Sequence, residues 1–76
     1  MVHAFVFLKT GSGASPDVLE SLKSMEAIID GHVVAGDFDI ILEMEADDVS
    51  NILSVVSGEI QLLDGVLDTK TYIALE

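Results

Sequence analysis

The chain has 76 residues and no cysteine, so it has room for one domain and no means of making a disulfide, a thiolate metal site or a cysteine nucleophile. Fourteen acidic residues stand against three lysines and no arginine, for a formal net charge of -11. That balance argues against contact with nucleic-acid phosphates or anionic membrane surfaces, which depend on basic side chains.

Half of the residues are hydrophobic, an excess for so small an interior that points to burial against another subunit. The acids are interleaved with regular apolar positions, which fits a folded domain and not a disordered tail. The acids fit either a solubilising surface or a source at high salt, where self-repulsion is screened, and the scarcity of lysine favours the second. The melting temperature is then expected to rise between dilute buffer and molar salt, and equal values would contradict the idea. The apolar start lacks a positive n-region and Lys9 ends it early, so no signal peptide is expected. No run reaches transmembrane length, and a cytoplasmic protein is expected.

Val2 to Leu8 reads as a strand apolar on both sides, with Ala4, Val6 and Leu8 facing one way and Phe5 and Phe7 the other. Lys9 to Ser15 is a loop by composition. Gly11-Ser12-Gly13 lacks the lysine and the spacing of a phosphate loop. Ser15-Pro16-Asp17 starts a helix over about Pro16 to Ala27, with Ser15 as cap, proline in the first turn and aspartate at the positive end of the dipole. Its apolar stripe is Val18, Leu22, Met25 and Ile29, widened by Leu19. Gly31 breaks the pattern. His32 to Ala35 is a short second strand, or one beginning at Ile29.

Gly36-Asp37-Phe38-Asp39 then joins the two central strands, and Ile40, Leu42, Met44 and Ala46 alternate with Ile41, Glu43 and Glu45. Asp47-Asp48 opens a second helix, in which Val49, Ile52, Leu53, Val56 and Ile60 follow helical spacing and Gly58 marks an early end or an irregular last turn. Asp64-Gly65 is a turn signal. In the last strand, Val66 to Leu75, one face carries Leu67, Thr69, Thr71, Ile73 and Leu75, and the other Asp68, Lys70, Tyr72 and Ala74.

The order βαββαβ specifies an α+β, ferredoxin-like plan: a four-stranded antiparallel sheet with two helices on one face. The uncovered face is too apolar for water, which implies a dimer packed sheet against sheet in an α/β-barrel-like assembly.

Several segments together resemble the ligand-binding domain of the Lrp/AsnC transcription regulators. They are Val2-His3-Ala4-Phe5-Val6, Val34 through Leu42 with its Gly-Asp-Phe-Asp turn, Ala46-Asp47-Asp48, and Gly65 through Ile73 with its Thr-x-Thr ending. The likeness covers essentially the whole chain, residues 1–76. Regulators of that family carry an N-terminal helix-turn-helix domain, and this chain begins directly at its first strand. The resemblance therefore implies a stand-alone effector domain without DNA binding, acting in transcription through a full-length regulator. It also implies a homodimer, or a ring of dimers, that takes an amino acid or related effector and needs no cofactor.

Read locally, Gly36-Asp37-Phe38-Asp39 is a tight turn, with glycine supplying backbone freedom and aspartates bonding back to nearby amides. The resemblance makes it the lining of an interfacial pocket. There Asp37 or Asp39 would accept from an ammonium, and amides exposed at Gly36 would donate to a carboxylate. Thr69 and Thr71 share a strand face. Ordinary β-propensity accounts for them, and the alternative directs their hydroxyls into the same pocket. His3 and His32 lack the partners a metal site needs. Glu43 and Glu45 read as a solvated pair.

Two other functions stay open at this point. One is a small dimeric enzyme of monooxygenase type, with His3 or His32 and Tyr72 as its acid/base groups. The other is a purely structural interaction module.

Overall fold

The structure, a computed structural model, describes residues 1–76. Four strands form one antiparallel sheet in the order β2-β3-β1-β4. They are β1 (Val2–Thr10), β2 (Ile28–Val33), β3 (Ile40–Ala46) and β4 (Val66–Ile73). Helix α1 (Ser15–Lys23) and helix α2 (Val49–Val55) cover one face. This is the ferredoxin-like arrangement expected from the element order.

The two-residue alternation of the central strands decides which face they cover. Ala4, Val6 and Leu8 of β1 and Ile40, Leu42 and Met44 of β3 are fully buried. They pack against Val18 and Leu22 of α1 and against Ile52, Val56 and Ile60 at the end of the second helix. Across the sheet, Phe5 and Phe7 of β1 and Tyr72 of β4 stay on the side that no helix covers, with Phe5 and Tyr72 exposed.

The second helix starts as its sequence dictates: the Asp48 carboxylate accepts the Asn51 N–H at 2.8 Å. Beyond Val55 it widens into a π-helical turn, Val56–Ile60, around Gly58, and the Gln61 N–H reaches back to the Val56 carbonyl at 2.9 Å. The first helix departs from expectation at both ends. Ala14, not Ser15, is its cap, because the Ser15 hydroxyl is 2.6 Å from the Thr10 hydroxyl at the end of β1. It stops at Lys23 instead of running to Ala27, and β2 starts four residues before His32.

Gly31 explains the second shift. It is no breaker between helix and strand; it lies inside β2, buried opposite Leu42. A Cβ there would sit 2.9 Å from both Leu19 Cδ1 and Leu42 Cδ2. The missing side chain is what lets α1 lie close on the sheet.

Candidate functional site

The segment between β2 and β3 is wider than a tight turn. The Val34 N–H donates to the Asp39 carbonyl at 2.8 Å, so the chain leaves β2 and returns through Ala35-Gly36-Asp37-Phe38. Asp39 ties this loop to the end of β1. Its own N–H donates to the Leu8 carbonyl at 2.9 Å, and its carboxylate accepts the Thr10 N–H at 2.8 Å. The anchor fixes where Phe38 and Asp37 come to lie.

Phe38 is brought over the open face of the sheet, its ring 5.7 Å from that of Phe7 in an edge-to-face contact. Phe7 in turn lies 5.4 Å from Tyr72 of β4. A cavity of about 360 Å³ opens beside these rings, lined by Phe7, Ile41, Tyr72 and the loop residues Val34 to Phe38. The lysines Lys9 of β1 and Lys70 of β4 also reach Phe38, each ammonium 5.8 Å from the ring centre.

Of the residues singled out in the sequence, Gly36, Asp37 and Phe38 line this cavity. Asp39 does not; its carboxylate is engaged with Thr10. Asp37 is exposed at the rim, outside every ion pair and side-chain hydrogen bond of the chain. Gly36 has an ordinary φ, since only Gly13 and Gly65 adopt positive values, and a Cβ at Gly36 would meet nothing within 4 Å. The expectation of a glycine needed for a tight turn is therefore corrected: neither conformation nor packing asks for one.

Thr69 and Thr71 fall elsewhere. They pair with Leu8 and Val6, whose side chains are buried under the helices. Facing residues of an antiparallel pair share a side, so both hydroxyls lie on the helix side, opposite Phe38. Thr69 accepts from the Gln61 amide at 2.9 Å and borders a separate polar depression with Leu67 and Asp68. Within one subunit the two threonines and the loop do not converge.

Sequence reasoning passed over Phe7, Lys9, Ile41 and Lys70 as members of the site. The signal was present in the alternation, which sets Phe7 beside Lys9 and Lys70 beside Tyr72 on the uncovered face.

Elsewhere on the open face, His3 lies between Glu43 and Glu45, at 3.4 and 3.0 Å, and His32 is 3.3 Å from Asp30. Both glutamates thus have a polar partner in His3 while staying partly exposed. No three histidine or acidic groups converge in metal-binding geometry. No helix is long and apolar enough to cross a membrane.

The two loop aspartates should respond differently to mutation. Asp39→Ala removes a charged acceptor and strands the Thr10 N–H, at a cost of about 1–2 kcal/mol. Asp37→Ala should leave stability within about 0.5 kcal/mol of the parent. Urea melts of both variants measure the difference, and equal midpoints would contradict the anchoring role of Asp39.

Residues 3–76 match the family model described as the Lrp/AsnC ligand binding domain. The Leucine-responsive regulatory protein of Klebsiella pneumoniae is 37% identical over 76 residues, covering 95% of this chain and 46% of its own length. The chain thus spans about half the length of the curated relatives it matches.

Among solved structures, a hypothetical protein from Pyrococcus horikoshii superposes with a TM-score of 0.93 at 29% identity, covering 100% of this chain and 92% of its own. A transcriptional regulator of Neisseria meningitidis, solved as its L-Met complex, shares the fold with a TM-score of 0.90 at 18% identity, over 99% of this chain and 50% of its own. The matched family is a ligand-binding domain of regulators, which removes the monooxygenase-like alternative. By the match over residues 3–76, the chain belongs to the Lrp/AsnC ligand-binding domain family.

Proposed function

We propose that this chain senses a small amino acid with an apolar side chain and couples its binding to subunit assembly, acting in transcription regulation with a full-length regulator as partner. The observation that carries this reading is Gly36. Glycine usually serves backbone conformation or close packing; here it serves neither, and it borders a cavity of about 360 Å³. What its missing side chain leaves open is the loop backbone, where amides can meet a ligand carboxylate. Asp37, free at the rim, takes the ammonium in preference to Asp39, whose carboxylate already holds Thr10. Phe7, Ile41 and Tyr72 form the apolar wall. The relatives fit this chemistry: one is named for its response to leucine, and one was solved with L-Met.

The cavity opens on the uncovered face of the sheet. A second copy packed on that face covers exposed Phe5 and Tyr72 and closes the site. Ligand binding then favours whichever assembly closes the cavity best, which is how a small molecule shifts oligomeric state.

Gly36→Ala tests the reading. Stability is expected to stay within about 0.5 kcal/mol of the parent, while affinity for leucine or methionine, followed by calorimetry, falls at least about tenfold, roughly 1.4 kcal/mol. Unchanged affinity would overturn the assignment of the loop. A dimer that gives no heat with either ligand would favour the purely structural module instead.

A further inference from the structure

Fourteen carboxylates and three lysines share this chain, yet no lysine is in an ion pair; all three ion pairs run through the histidines. Two of the three lysines nevertheless reach the same ring. Lys9 comes from β1 and Lys70 from β4, and their ammonium groups lie 5.8 Å from the same Phe38 ring. A carboxylate stands directly across the strands from Lys9, that of Asp68, but it accepts the N–H of Thr69 at 2.9 Å instead. Two like charges gathered without a counter-ion, beside an apolar cavity in an otherwise acidic molecule, are an arrangement that an incoming anion relieves.

We propose that Lys9 and Lys70 draw in and hold the ligand carboxylate together with the loop amides at Gly36, so that the ligand sets its carboxylate beside Phe38 and an apolar body against Phe7, Ile41 and Tyr72. The proposal rests on the sensing function above and adds the polarity of the ligand. The class of anion follows from the surroundings. A net charge of -11 and Asp37 at the rim repel a phosphate or a polyanion. Two ammonium groups near one aromatic ring attract an anion, and the apolar lining accepts an uncharged side chain and no second anionic group. Lysine here acts as a point charge that needs no fixed fork geometry, which suits a small ligand that turns in its pocket.

Calorimetry with three probes decides the matter: leucine, leucinamide, which lacks the carboxylate, and 4-methylpentanoate, which lacks the ammonium. The parent protein is expected to bind leucine and 4-methylpentanoate, and to bind leucinamide at least about tenfold more weakly. The double variant Lys9→Gln, Lys70→Gln should lose at least about tenfold in affinity for both carboxylates, with its mass in solution and its circular dichroism unchanged. Equal binding of leucine and leucinamide by the parent would overturn the lysine assignment and leave amino-acid sensing standing. So would a double variant with parental affinity, or one that falls apart into monomers, which would place the lysines in the subunit interface instead. Absence of heat from all three probes would remove the sensing function and the lysine assignment together.

Discussion

On the proposed sheet-against-sheet dimer, Tyr72→Asp is expected to give folded monomers. Tyr72 is 56% exposed on the uncovered face, beside Phe5 at 40%. Its ring leans on Phe7, which leans on Phe38, so the three form one continuous aromatic surface. Water is a poor neighbour for such a surface, and a second sheet is a good one. A two-fold interface presents every substitution twice. An aspartate there loses the aromatic contact and buries a carboxylate without a partner, at about 2 kcal/mol or more per copy. The dissociation constant should rise about a thousandfold, since two copies together cost about 4 kcal/mol. The monomer keeps its own core, because Tyr72 stands on the side away from Leu22, Leu42 and Ile52. Sedimentation equilibrium measures the change, and a variant with the parental mass would place the subunit contact elsewhere.

The second large effect belongs to Gly65, at the entry to β4. Its φ is +95, a value that side-chain-bearing residues rarely adopt. A Cβ there would stand 3.0 Å from Ala14 Cβ and 3.2 Å from Val18 Cγ2, where the first helix begins. Its carbonyl also accepts the N–H of Gly11 at 2.9 Å, so the turn is held from just beyond the end of β1 as well. Gly65→Val meets both penalties: about 1–3 kcal/mol of backbone strain and about 1–3 kcal/mol of overpacking. A loss of about 2–6 kcal/mol takes much of the stability of a domain this small. Its melting temperature should fall by about 15 °C or more. Gly36→Val is the control, since that position has neither a positive φ nor a near neighbour. A Gly65→Val protein within about 1 kcal/mol of the parent would refute the account of this turn.

Much of the fold was legible because two periods alternate cleanly along the chain. Ala4-Val6-Leu8 and Ile40-Leu42-Met44 mark the inner face of the central strands, and Ile52, Val56 and Ile60 mark the helix above them. Asp48 could be read as a cap because capping is local. The misplaced start of β2 has a tertiary cause. Gly31 looks like a breaker until Leu19 and Leu42 are seen to press on it from both sides. Ser15 likewise looks like a cap until Thr10 claims its hydroxyl.

The site was half legible for the same reason. The loop Gly36-Asp37-Phe38 stood out by composition. The division of labour between its aspartates did not, because the partner of Asp39 lies 29 residues away. Which face Thr69 and Thr71 take depends on pairing with Leu8 and Val6, a register that no local pattern in β4 contains. The meeting of Lys9 and Lys70 needed two strands that are neighbours only in the folded sheet.

Backbone amide shifts, followed by NMR as leucine or methionine is added to the folded protein, test the central claim most directly. The account predicts saturable shifts confined to Ala35 through Phe38 and to the neighbouring positions Phe7, Lys9, Lys70 and Tyr72. Saturable shifts clustered on the helix side, around Gln61, Thr69 and Thr71, with the loop amides unmoved, would contradict it.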